Sequence, residues 1–252
     1  MLPTRRKPHS WLFGAYLALR FAVFCPAADF PLDLLRRVLE RETATEAARA
    51  HYAYRQVVHL EELSEKGQKR GEYREWRDVI FSPEGRRYEK PLRPPYLALE
   101  RLKLTEEDFR DLREVQPFLF TREQLPLYET QDKGEETVGG HRCWVLRIRP
   151  RQILYGQRLF DGLAWVNQAD FSVIQMEGKA VPEIVNRKEE NLFPRFTTVR
   201  KLVDGQFWFP DRTFADDTLA FRSGPVRVRL TIQYSDYKKF QAETTIRFTD
   251  PK

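Results

Sequence analysis

Few side chains in this sequence are spaced for catalysis or metal binding. Beyond the N-terminal segment the histidines are His51, His59 and His141. His51 and His59 share the parity of one strand face, but eight residues of extended chain hold them roughly 27 Å apart. One ion cannot reach both without a bend. The sequence contains no His-Glu-x-x-His and no Cys-x-x-Cys, the spacings that place two ligands on one metal. No metal site and no cofactor is expected. Ser64, Ser82, Ser172, Ser223 and Ser235 all lie outside a Gly-x-Ser-x-Gly elbow, and no Gly-rich phosphate loop is present. Cys143 has His141 two residues away on the same face, but no third group completes a nucleophilic set, and its apolar setting suits packing. Carboxylates are plentiful at Glu61-Glu62, Glu106-Glu107-Asp108, Glu189-Glu190 and Asp216-Asp217. A glycosidase needs two of them facing each other across a cleft, whereas most of these read as turns or helix starts. The expectation is a protein without catalytic residues, a hydrolase with a scattered site being the third-ranked reading.

Aromatic side chains are the richest feature. Trp76, Trp144, Trp165 and Trp208 fall in or beside strand patterns, with Phe160, Phe171, Phe196, Phe207 and Phe209 nearby. Such residues fill an ordinary sheet core. They also line concave apolar pockets. The residues expected to line such a cavity are Tyr54, Trp76, Trp144, Trp165, Phe171, Phe207 and Tyr234.

The elements that would carry them follow from periodicity. Residues 29–50 read as a helix: Asp29 can cap it, Pro31 suits its first turn, and Leu32, Leu35 and Leu39 recur at helical spacing beside Arg36, Arg37, Glu40 and Arg41. From residue 51 the period becomes two. Strands are expected over 51–63, 72–82 and 86–90, then over 127–137 and 141–149 around Gly139-Gly140. Further pairs are 157–167 with 171–181, and 195–203 with 206–214 around Asp204-Gly205. Val226, Val228, Leu230, Ile232 and Tyr234 alternate cleanly with polar residues, and Thr244, Ile246 and Phe248 suggest a last strand. Residues 91–126 interrupt the pattern with Pro91, Pro94 and Pro95. There Thr105 with Asp108 caps a short helix to about Glu114, and Thr121 with Gln124 caps a second that Pro126 cuts short. About ten strands joined mainly by hairpins make one large antiparallel sheet. A sheet this large must curl or close, and one helix with a short insertion leaves a space to fill.

The first 28 residues read as an export signal. Arg5, Arg6 and Lys7 precede an apolar stretch from Trp11 to Phe24, and Cys25-Pro26-Ala27-Ala28 offers small residues for cleavage. An uncleaved anchor or a lipidated Cys25 are the alternatives. The 43 basic and 37 acidic residues give the chain +6. Arg5, Arg6, Lys7 and Arg20 leave with the leader, so residues 29–252 carry 39 basic residues against 37 acidic and a net charge of +2. No basic run interleaved with aromatics remains, and nucleic acid is not an expected partner. Cys143 is left as the single cysteine of that segment, so it has no intramolecular partner.

This order of elements resembles the outer-membrane lipoprotein-sorting carriers, the LolA/LolB-like superfamily. The local similarity lies in Gly162-Leu163-Ala164-Trp165-Val166-Asn167 with Phe171-Ser172-Val173-Ile174-Gln175-Met176-Glu177, and in Val226 to Phe240 with its Tyr234-Ser235-Asp236-Tyr237 turn. The resemblance implies an α+β, mainly β fold over 29–252: a large, curved antiparallel sheet, an unclosed β-barrel, with an N-terminal helix and a short helical insertion covering the concave face. It also implies a non-catalytic periplasmic carrier or receptor that shields a lipid or lipoprotein acyl chain and touches the membrane only transiently. An envelope protein-interaction or stress-sensor module with a filled core is the alternative. Glu190-Asn191-Leu192-Phe193-Pro194-Arg195-Phe196-Thr197-Thr198 is distinctive and has no assigned role at this stage.

Overall fold

The computed structural model describes residues 33–82, 86–115, 117–185 and 190–240. The export signal, Asp29, Pro31 and the strand expected around Thr244 to Phe248 lie outside the described residues.

Helix α1 spans Leu34–Arg49 and turns Leu34, Val38, Leu39, Glu42 and Thr45 inward, the spacing of a single helix face. Asp33 stands at its start. Its carboxylate accepts from Arg36 and Arg37, both at 2.8 Å, rather than from a backbone N–H. Strands β1 (Tyr52–Leu63), β2 (Lys69–Phe81), β3 (Arg87–Pro91) and β4 (Tyr96–Ala98) follow. The insertion holds helix α2 (Glu106–Arg110), a π-helical turn (Asp111–Val115) and a 3-10 turn (Leu125–Leu127). Then come β5 (Tyr128–Val138), β6 (His141–Pro150), β7 (Leu159–Asn167), β8 (Val173–Val181), β9 (Ile184–Val185), β10 (Glu190–Asn191), β11 (Phe196–Val203), β12 (Phe207–Phe221) and β13 (Gly224–Lys239).

Eleven strands form one antiparallel sheet in the order β3-β2-β1-β13-β12-β11-β8-β7-β6-β5, with β4 also on β2, while β9 and β10 pair apart. The two ends, β3 and β5, are not paired with each other, so the sheet is curved and unclosed as expected. Its alternation follows the sequence. In β1, residues 52, 54, 56, 58, 60 and 62 are buried, and Leu60 faces Leu230 of β13 and Tyr73 of β2. Asp204 and Gly205 both adopt positive φ, 50° and 67°, which a two-residue turn matched to the sheet's twist requires. One end of the sheet, the upper, carries the β1–β2, β6–β7 and β12–β13 turns. The lower end carries the β5–β6, β7–β8 and β11–β12 turns.

The insertion departs in detail from expectation. The Thr105–Asp108 capping box forms in both directions, but α-helical geometry stops at Arg110. The wider π turn that follows brings Asp111, Leu112 and Val115 all inward. The second expected helix is a single 3-10 turn, and Gln124 caps nothing. Phe118, Leu119 and Phe120 before it are all buried, which an extended segment lying on the core achieves and an amphipathic helix does not. β4 is an added strand: Gly71 allows it. A Cβ at Gly71 would stand 2.4 Å from the Ala98 carbonyl oxygen and 2.9 Å from the Leu99 Cα. Glycine alone lets the chain cross the sheet this closely.

Candidate apolar binding site

The concave face divides into two regions. Near the upper end, Val58, Leu60, Tyr73, Leu219, Val228 and Leu230 present an apolar floor. Leu102, Leu104 and Leu112 of the insertion, with Leu192, Phe193 and Pro194, roof it. The enclosed space is about 20 Å³, room for one water and far below the roughly 300 Å³ of an ordinary small-molecule pocket. Asp108 is the single charged residue on its wall. The first part of the stretch 190–198, unassigned in the sequence, is therefore half of the roof, and Phe196, Thr197 and Thr198 begin β11.

Polar clips hang this roof from the sheet. Glu62 is 1 % exposed, and its carboxylate accepts from the backbone N–H of Glu100 at 3.0 Å, Arg101 at 2.9 Å and Leu102 at 3.2 Å. Gly71 is its partner across the β1–β2 ladder, so the close crossing there delivers these three donors. Arg101 then donates to the carbonyls of Ser223, Gly224 and Pro225. Asn191 Nδ2 donates to Thr105 Oγ1 at 2.9 Å and Asp108 Oδ1 at 3.0 Å, joining the two halves of the roof. Arg158 clasps Asp111 through Nε at 2.9 Å and through Nη2. Burial pushes the Asp111 carboxyl up to about 6 against the pull of Arg158, and burial also raises Asp108.

The other region lies under α1. Glu42 and Arg200 are 0 % and 1 % exposed and pair at 2.8 Å. Arg200 also donates to the carbonyls of Val173 at 3.1 Å and Phe118 at 2.8 Å, and Glu42 accepts from the Phe120 N–H at 3.3 Å. Five groups thus tie the helix, the sheet and the insertion together. A buried pair needs this many partners to offset its lost hydration.

The seven aromatic residues singled out from the sequence divide by location. Tyr54 and Tyr234 lie on the concave face with ring centroids 6.2 Å apart, and Tyr54 also meets Tyr237 at 5.2 Å. Trp144 stacks on Phe171 at 5.4 Å, with Arg37 of α1 4.8 Å from the Phe171 ring. Phe171 is held at φ 61°, a left-handed conformation that costs a non-glycine residue roughly 1–2 kcal/mol. Phe207 sits under Arg41 of α1 at 5.1 Å. Trp165 packs on the outer face with Cys143, Val145 and Ile174, and its indole donates to Glu136 at 2.8 Å. Trp76 is also on the outer face, with the Arg93 guanidinium 3.1 Å above its ring.

The burial of the polar residues Glu42, Gln56, Glu62 and Arg200 was not expected from the sequence. Each had a signal: a polar residue in phase with a buried apolar stripe. Glu42 follows Val38 at helical spacing, Gln56 and Glu62 fall on the inward parity of β1, and Arg200 follows Phe196 and Thr198 on β11.

Other chemistry is already committed. His59 Nε2 lies 2.9 Å from Glu72, and with Glu61 these residues have the proximity of metal ligands. Glu72 also accepts from Lys69 at 3.1 Å and Arg74 at 3.0 Å. The hydrogen bond from His59 and these two cations hold its carboxyl down at about 2. A metal would have to displace three donors. Cys143 is fully buried, and burial raises its thiol to about 11, the inert form.

The sequence matches no protein-family model and no curated protein. Among solved structures the chain is similar to a DUF1329 family protein from Desulfovibrio piger, at 14% identity and TM-score 0.44, over 85% of this chain and 95% of that one. It is similar to a protein from Vibrio parahaemolyticus described as an outer membrane lipoprotein-sorting protein domain, at 13% identity and TM-score 0.40, over 83% and 92%. A LolA superfamily protein from Nitrosomonas europaea matches at 17% identity and TM-score 0.35, over 85% and 97%. At these identities and scores no residue role passes from those proteins to this one.

Proposed function

We propose that this protein is a non-catalytic, exported carrier or receptor for an acyl chain, acting in the periplasm of a two-membrane bacterium, with a lipid or an acylated lipoprotein as its cargo. The observation that supports this is an apolar floor closed by a roof from other segments of the chain. The floor belongs to β1, β2, β12 and β13, and the roof belongs to two segments held mainly by Glu62, Asn191 and Arg158. Lifting the roof opens an apolar trough, and each methylene buried in it contributes about 0.8 kcal/mol. Tyr54 and Tyr234 continue the same face and form the far wall that a longer chain reaches. No cofactor is required. A fluorescent fatty acid should brighten on binding the purified protein and be displaced by palmitate, and material isolated from an envelope should carry lipid visible by mass spectrometry. A protein that ignores fatty acids, both as it stands and with Glu62→Gln loosening the roof, refutes this reading.

A second reading has its own observation. The interior as it stands is nearly filled, and Ile80, Tyr88, Leu92, Tyr96 and Leu97 are exposed around β3 and β4. A filled core with an apolar patch at a sheet edge fits an envelope protein-interaction module. Cross-linking to an envelope protein through Tyr88 or Tyr96, in a preparation free of lipid, favours it.

A further inference from the structure

We propose that the turn between β6 and β7 docks this protein on an anionic lipid surface. Ile153, Leu154 and Tyr155 are consecutive and exposed, and Tyr155 is exposed completely, at 107 % of its reference area. The turn that carries them is rigidly held. Gln157 donates from its N–H to the Leu154 carbonyl at 3.1 Å, and its side-chain oxygen accepts from the Leu154 N–H at 2.9 Å. Arg110 of α2 donates to the Gly156 carbonyl at 3.0 Å, and the clasp of Arg158 on Asp111 fixes the following residue. The apolar side chains are therefore presented outward, and a rigid tip loses little entropy on insertion.

The charges around the tip select the partner. From Arg147 to Arg158 the chain has four arginines and no acidic residue. Arg147 pairs with Asp161 and the buried Arg158 with Asp111, so Arg149 and Arg151 are the cations that face outward beside the tip. Arg149 pairs with Glu129, yet both are more than 40 % exposed. Arg151 is exposed and has no ion pair among the described residues. At the same upper end of the sheet Lys66 is offset by its neighbour Glu65, and Arg101 keeps its charge while donating to backbone carbonyls. A wedge of Ile, Leu and Tyr beside the exposed Arg149 and Arg151 matches a bilayer interface, where the apolar residues reach the acyl boundary, tyrosine sits among the headgroups and the cations meet lipid phosphates. A protein partner is better served by a broad patch with a buried centre than by a three-residue tip.

The docking is independent of whether an acyl chain enters the interior, and its test does not involve the cavity. The full chain with Cys25→Ser and Tyr155→Cys is labelled with an environment-sensitive nitrobenzoxadiazole probe, Cys143 being buried. A control carries the probe through Lys238→Cys at the lower end. Vesicles of phosphatidylglycerol and phosphatidylethanolamine should raise the emission at position 155 at least about twofold and shift it to the blue, with little change at position 238. Phosphatidylcholine vesicles should give a smaller response, and high salt should reverse the anionic one. Arg149→Gln with Arg151→Gln should weaken the response without altering the circular dichroism. No response at position 155 overturns the proposal and leaves the tip as a protein contact. An equal response at both positions, or an equal response to phosphatidylcholine, overturns it as well.

Discussion

The two regions of the concave face are built for opposite purposes. Under α1 the contacts converge on one fully buried ion pair, Glu42–Arg200, ringed by backbone carbonyls and an N–H. Under the insertion, the contacts between floor and roof are apolar, and the polar clips sit around its margin at Glu62, Asn191 and Arg158. Apolar contact is non-directional, so an apolar floor accepts another apolar surface almost as well as its own roof. A buried ion pair accepts nothing else. The first region fixes the fold, and the second is the one that, on the proposed carrier reading, exchanges its roof for a ligand.

The strongest test of this contrast is Arg200→Met. It leaves Glu42 charged, buried and unpaired, and should cost about 3–5 kcal/mol in urea unfolding. Adding Glu42→Leu should recover much of that loss. Recovery would show that the pair confers specificity more than stability. Next in size is Glu62→Gln. Its amide cannot accept three N–H donors as a carboxylate does, and the loss should be about 1–3 kcal/mol. Here the contrast predicts a second readout: amide exchange should accelerate at residues 100–102 while β11 and α1 stay protected. Acceleration everywhere would merge the two regions into one cooperative unit.

The roof should also respond to pH. Asp111 titrates at about 6 in the folded protein because it is buried, against a value of 3.8 when free. The folded state therefore holds the proton more tightly. This contribution to stability is complete below about pH 4 and is lost as pH rises through about 6. Asp108 shifts the same way for the same reason. The urea midpoint should fall between pH 4 and pH 7, and Asp111→Asn should flatten that dependence. The smallest effect belongs to the outer face. Arg93→Ala removes a cation from the Trp76 ring and should cost under about 1 kcal/mol with no change in fatty-acid binding.

Much of the architecture was legible in the sequence because period-two burial is a local property. Val226 to Tyr234 face one way in the chain and in the sheet alike. Turn chemistry at Asp204-Gly205 and Gly139-Gly140 was legible for the same reason. The roof was not. Its two halves, residues 99–115 and 190–194, are distant in sequence and meet through Asn191 and Asp108, and no periodicity records that contact. Gly71 lies between the two strands expected over 51–63 and 72–82, and only the crossing strand shows why it must be glycine. The aromatics were visible, but parity alone does not say which face of an eleven-strand sheet becomes the inside. Trp165 and Trp76 lie outside while Tyr54 and Tyr234 lie within.

The missing seam between β3 and β5 has a mechanical meaning. A closed barrel has a circumference fixed by strand number and stagger, and widening it breaks hydrogen bonds. In this sheet the first and last strands are not paired to one another. Its radius of curvature can therefore change by small twists spread over many strands, with every ladder intact. On the proposed carrier reading the trough is therefore a compliant clamp rather than a socket, its capacity set by how far the sheet flexes to match the girth of its cargo.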